Sequence, residues 1–239
     1  MEKVARKVFA AVKGMVAGRF ETEPATPQSH PHVKWGAYED ARRTVEAEGF
    51  RHLDDVDAVS VPHDATIMKR PVLAIFLGPD GTEVAGHYRM PLRWSPAGIL
   101  ARLAGGRGDF FDLGTNFGGP EGVWVSTTNA KGVGQWTAPP FDNQEALSRS
   151  TGFARVLERH RDRIARFRAA HPDAVPTRVS TLGEIVALAD AMERRKLEWR
   201  RGTGWATRDE LGRVTKLSGS ALDRFYQTFQ RAAAEDAGW

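Results

Sequence analysis

Four polar side chains alternate on two neighbouring candidate strands, and they are the first place to look for chemistry. His87 and Arg89 share one side of residues 82–90, while Asp112 and Asn116 share one side of residues 109–117. If those sides coincide, a His–Asp pair lies over an arginine. A carboxylate can then orient an imidazole that moves a proton, and a guanidinium can hold negative charge. His87, Arg89 and Asp112 are therefore the catalytic candidates. The competing reading is a solvated strand face with incidental ion pairs. His30 and His32 flank Pro31, but a metal site needs a further ligand from elsewhere, so neither a metal nor a cofactor is assigned. There is no phosphate-binding loop ending in Gly-Lys-Ser/Thr and no Gly-x-Ser-x-Gly elbow. Residues 105–108 (GGRG) lack the strand-then-helix setting of a dinucleotide fingerprint. With no cysteine in the chain, thiol catalysis, thiolate metal sites and disulfides are excluded. The balance leans away from an enzyme.

The elements that must position these residues run from Pro71 to Asn129. Residues 72–77 (VLAIFL) form an unbroken apolar run closed by Gly78-Pro79-Asp80-Gly81, the pattern of a strand buried on both faces before a tight turn. Residues 82–90 alternate, as a half-buried strand does. A second hairpin repeats the plan over residues 109–117 and 123–129, around the turn at residues 118–122. Residues 95–103 (SPAGILARL) between the hairpins read as a short capped helix. Turns this short favour an antiparallel meander, because parallel crossovers need a dozen or more residues.

At the N-terminus, residues 1–20 read as a basic amphipathic helix. Its apolar stripe includes Phe9, and Lys3, Arg6, Lys7 and Lys13 fill the other face. Such a helix can lie on an anionic membrane surface, enter a partner's groove, or dock on its own protein; Lys3, Arg6, Lys7, Phe9 and Lys13 are the contact residues on the first two readings. Residues 21–34 are Pro-rich and polar and read as a linker. Residues 37–48 read as a helix stopped by Gly49, followed by an extended segment over residues 50–61 and a turn at Pro62-His63-Asp64. Beyond a Gly/Pro loop, residues 143–170 read as one long helix, with Thr151-Gly152 as a point where it could break, and Ser180 or Thr181 caps the next helix, with Glu184 placed for a capping box. Residues 151–239 carry 17 Lys+Arg against 12 Asp+Glu, whereas residues 1–150 carry 17 against 18. The basic third points mildly to an acidic partner.

Residues 207–226 (TRDELGRVTKLSGSALDRFY) resemble the helix-turn-helix motif of bacterial DNA-binding proteins. Leu211, Gly212, Leu217, Ser218, Leu222 and Phe225 fall where that motif holds its packing, small and capping residues. The resemblance implies that Ser220, Ala221 and Arg224 face the major groove. It departs at Lys216, where the motif prefers glycine, and Asp223 would place a negative charge near phosphates.

Together these features predict an α+β protein. A mostly antiparallel β-meander of four to six strands (residues 35–142) is packed by helices, with a helical C-terminal segment (143–239) and a separable first helix. The expected function is non-enzymatic binding of a partner protein or small ligand, with the first helix supplying docking or membrane-surface association. The alternatives are a DNA-binding regulator and an acid/base enzyme on the sheet's polar face. The expected location is cytoplasmic, or peripheral to a membrane if the first helix anchors there. Composition is that of an ordinary globular protein, with 41% hydrophobic and 27% charged residues.

Overall fold

A computed structural model describes residues 1–14, 18–60, 69–95, 109–130 and 137–236. Its helices are α1 (Glu2–Gly14), α2 (Trp35–Glu46), α3 (Phe153–Ala170), α4 (Leu182–Gly202), α5 (Arg208–Thr215) and α6 (Gly219–Asp236). Its strands are β1 (Glu23–Pro24), β2 (Arg51–Asp57), β3 (Val72–Leu77), β4 (Glu83–Arg89), β5 (Asp109–Phe117), β6 (Val123–Thr128) and β7 (Asp142–Ala146). The fold is α+β. Strand order follows the sequence from β1 to β7, antiparallel throughout except for the parallel β6–β7 pair. Residues 96–103 of the expected short helix and the turn at residues 62–64 lie outside the described residues. No described helix is long and apolar enough to cross a membrane.

Among the described residues the sheet has seven strands, not four to six. One extra strand is the two-residue β1, inside the segment read as a linker, where Glu23 and Pro24 pair with Asp57 and Val56. His30 in that segment is buried, with its imidazole against Ser29 Oγ (2.9 Å) and Asp57 Oδ2 (3.2 Å). The other is β7, in what read as the first turns of a long helix. Arg163 of α3 holds it in place. Its guanidinium donates to Asn143 O (2.8 Å) and Oδ1 (2.6 Å), to Thr127 Oγ1 (2.8 Å) and to Ser126 O, tying the parallel pair to the helix above it. The helix proper starts after Gly152.

β3 decides the layering. Ala74 and Phe76 enter a cluster with Tyr38 and Val45 of α2 and Phe153 and Val156 of α3. Ile75 and Leu77 enter a second cluster with Val179 and with Ile185 of α4. Because successive side chains point to opposite faces, an unbroken apolar run demands cover on both, and helices supply it. Gly81 at the β3–β4 turn has φ +76°, and a Cβ there would lie 2.6 Å from Val179 O, so glycine lets the turn meet the strap leading to α4.

Between α3 and the sheet sits His160, fully buried, with Nε2 3.0 Å from Thr115 Oγ1 and Nδ1 3.2 Å from Thr127 Oγ1. Burial, reinforced by the charges of Arg163 and Arg161, pushes its imidazole down from 6.5 to about 3. In the unfolded chain the ring protonates near its ordinary value. Stability from this group is thus complete above about pH 6.5 and is lost as pH falls toward 3. Urea unfolding between pH 7 and pH 4 is expected to show a midpoint that drops with acidity, with up to about 1.4 kcal/mol per pH unit from this one proton. His160→Gln should flatten that slope; an unchanged slope would assign the acid sensitivity to other groups.

Candidate nucleic-acid interface

The stretch at residues 207–226 folds as two helices joined by a three-residue turn, residues 216–218. Thr207 caps α5, its side chain accepting from Glu210 N while Glu210 reaches back to Thr207 N. Glu210 has no exposed surface. Its carboxylate accepts from Thr207 N (2.6 Å), Thr137 N (2.6 Å) and Arg200 Nη1 (2.9 Å). Burial pushes the carboxyl upward, but those hydrogen bonds outweigh it and hold the group below the usual carboxylate range.

α5 ends on Lys216, which takes the left-handed conformation (φ +61°) and donates its N–H to Gly212 O (2.9 Å). A lysine there costs about 1 kcal/mol relative to an unstrained residue, and the packing on either side must hold it. Leu211, Leu222 and Phe225 are buried, and Leu217 packs against them. At Gly212 a Cβ would lie 3.0 Å from Leu222 Cδ2, so the missing side chain lets the two helices approach.

α6 buries Leu222, Phe225, Phe229, Ala232 and Ala233. Its opposite side carries Ser220, Arg224, Gln227 and Arg231, all exposed and spaced four, three and four residues apart, which makes one stripe. Ser220 and Arg224 were expected here, and Ala221 beside them is half-buried. Gln227 and Arg231 escaped notice because the motif template stops at Tyr226. The 3.6-residue period extended one helix farther would have found them.

Charge on this unit is set by pairing rather than by count. Residues 207–236 hold five Lys/Arg and five Asp/Glu. Glu210 is paired with Arg200, Asp223 with Arg208 (2.6 Å), Glu235 with Arg6 (2.6 Å) and Asp236 with Lys13 (2.6 Å). Asp223, which seemed to oppose an anionic partner, is thus partly neutralised. Arg213, Lys216, Arg224 and Arg231 are exposed, and none of them forms an ion pair among the described residues.

The other proposed contacts are arranged differently from expectation. His87 and Asp112 lie on opposite faces of the sheet, because His87 sits across from Phe111 and Asp112 across from Gly86. A one-residue difference in register reverses the side, so no His87–Asp112 pair exists. His87 is fully buried, and its Nε2 lies 2.9 Å from Asp109 Oδ1, which also receives Arg89 Nε at 3.0 Å. The His87 hydrogen bond and the Arg89 charge hold Asp109 below its ordinary value despite the cost of burial. On the far face, burial pushes Asp112 up against the opposing effects of Thr128 and Lys196. Asn116 accepts from Thr177 Oγ1 (2.6 Å). Sequence reasoning missed Asp109 because residues 90–108 separate β4 from β5, and a connection of that length leaves the register open.

α1 lies on the C-terminal helices. Phe9 is buried with its ring 5.6 Å from Trp205 and 5.8 Å from Phe229, and Ala5 and Val12 join the same cluster. Arg6 bridges Glu2 and Glu235, and Lys13 meets Asp236; Lys3 and Lys7 remain exposed. The apolar stripe expected to meet a membrane or a partner is occupied by the protein itself, so Phe9 is not available to either.

No protein-family model matches the chain, and no curated protein or solved structure is significantly similar to it.

Glu210 offers a direct test of what holds the interface. Replacing it with alanine removes the carboxylate that balances the charge of Arg200, a side chain only 8% exposed. Removing one member of a buried pair costs about 3–5 kcal/mol. Glu210→Ala should therefore unfold the α5–α6 unit at lower denaturant than the parent, read by hydrogen exchange at α5 and α6 amides, while Glu235→Ala at the surface should shift it by less than about 1 kcal/mol.

Proposed function

We propose that the protein is a non-enzymatic binding protein that contacts double-stranded DNA through α5 and α6. The observation that carries this reading is the exposed stripe Ser220–Arg224–Gln227–Arg231, standing on a helix whose other side is locked into the C-terminal core. An α-helix fits the major groove, where arginine can meet guanine bidentately and glutamine can meet adenine. Arg213 and Lys216, on α5 and in the turn, are suited to phosphates flanking the groove. The eight-residue first helix and the left-handed residue at the turn also support a helix-turn-helix docking geometry.

An acid/base enzyme on the sheet is not the preferred reading, since its supposed partners occupy separate faces. Membrane docking through the stripe of α1 is disfavoured by the burial of Phe9 and Val12.

The expected result in fluorescence anisotropy is binding to a random-sequence duplex pool at low salt. Phosphate contacts from Arg213 and Lys216 predict a fall in log K with log salt of slope about −2, at about −0.9 per phosphate. Arg224→Glu with Arg231→Glu should abolish binding and leave the circular dichroism spectrum unchanged. Selection from the pool should return a motif whose enrichment weakens in Gln227→Ala. Absence of binding at about 50 mM salt, or binding indifferent to the charge reversals, removes DNA as the partner.

A further inference from the structure

A cavity of about 600 Å³ opens where the start of α2 meets the end of β4. Cavities of that size accept small organic molecules. Three cations line it from three separate segments: Lys34 just before α2, Lys69 just before β3, and Arg89 at the end of β4. Tyr38 and Trp94 add aromatic surface and Leu92 an aliphatic one. No Asp or Glu lines the cavity among the described residues.

The nearest acids are engaged elsewhere. Asp57 is held by His30 and Arg70, and Asp109 by His87 and Arg89. The walls are also fixed in place. The Tyr38 hydroxyl donates to Val72 O (2.7 Å) and accepts from Arg89 N (3.2 Å), which sets its ring. Lys69 N donates to Pro91 O (3.1 Å), which joins two rims of the opening. Asp109 orients the Arg89 guanidinium through Nε. The first turn of α2 has no side-chain cap and no acidic residue, so the positive end of that helix is unopposed at the same rim.

We propose that this cavity binds a small organic phosphate carrying a flat ring. Arg89 is already paired with Asp109, so a monocarboxylate would leave one of the two lysines uncompensated. A phosphate monoester brings about −1.5 to −2 charges and three acceptor oxygens, which matches the two lysines left without an acid among the described residues and the remaining donors of Arg89. The ring of the ester lies against Trp94, the exposed aromatic of the lining, whose face attracts planar groups. Binding here uses none of the residues of the α5–α6 stripe, so the site stands or falls apart from DNA binding.

Isothermal titration of the full chain with adenosine monophosphate, uridine monophosphate and 4-nitrophenyl phosphate tests the site, with adenosine and inorganic phosphate as controls. At least one of the three esters is expected to bind tenfold or more tightly than both controls. Lys34→Ala with Lys69→Ala, at exposed positions, should weaken it tenfold or more at an unchanged melting temperature, whereas Lys3→Ala with Lys7→Ala should not. Silence from all three esters at millimolar concentration overturns the proposal. So does binding that survives the Lys34/Lys69 change, or inorganic phosphate binding as tightly as the esters.

Discussion

A carboxylate with no exposed surface, that of Glu210, holds the C-terminal helices to the rest of the molecule. Desolvating such a group costs several kcal/mol, and only near-complete hydrogen bonding offsets that. Here the partners come from three places: the cap of α5, the last turn of α4 through Arg200, and Thr137 ahead of β7. Arg200 completes the joint by donating also to Trp205 O (3.2 Å) and Thr137 O (2.8 Å). The near end of α4 lies on the sheet through Ile185, so a chain of packed groups runs from the sheet to the helix pair. Without Glu210, the buried Arg200 guanidinium would keep only carbonyl partners and lose the carboxylate that balances its charge.

α1 contributes in a different way. Its ion pairs with Glu235 and Asp236 are exposed and add little to stability. What holds it is apolar: Ala5, Phe9 and Val12 seal Phe229 and Trp205 from water. A basic amphipathic helix has one pattern whether its stripe faces lipid, a partner or its own chain, because the pattern records that a face is covered and not by what. The complement was present in the apolar side of α6, but more than two hundred residues separate the halves, and no local rule joins them.

The same distinction between local and distant information explains what could be read from the amino-acid order. The β3–β4 hairpin was legible because Asp80-Gly81 fixes a tight turn and alternation fixes the faces. The β5–β6 hairpin was legible from the glycine-rich turn at residues 118–122 and the alternation on either side of it. The strand β7 was not, since Asp142–Ala146 carries no strand signature of its own and takes its form from Arg163 and the edge of β6. β1 is only two residues long and exists through its pairing with β2. The pairing of β4 with β5 was open by one residue, and that one residue decided whether His87 would meet Asp112 or Asp109. At the helix pair, capping, the small residue and the packing positions are all local features, so more of the candidate interface could be read there than on the sheet.

Electrostatics carries the argument one step farther. The chain has a net charge of only +4, and residues 1–150 alone hold one more acid than base. Neither number suggests an anion-binding surface. Yet carboxylates near both proposed sites are withdrawn into pairs: Asp223, Glu235 and Asp236 around α6, Asp57 and Asp109 beside the cavity. An ion pair a few ångströms long looks nearly neutral from a distance, and salt screens what remains beyond about 8 Å. The field a ligand meets is therefore set by the charges left over, Arg213, Lys216, Arg224 and Arg231 against Asp209 in one place and Lys34 and Lys69 in the other. Local potential is a property of which acids the fold has already engaged, and that is why it has to be read from the folded chain and not from its charge count.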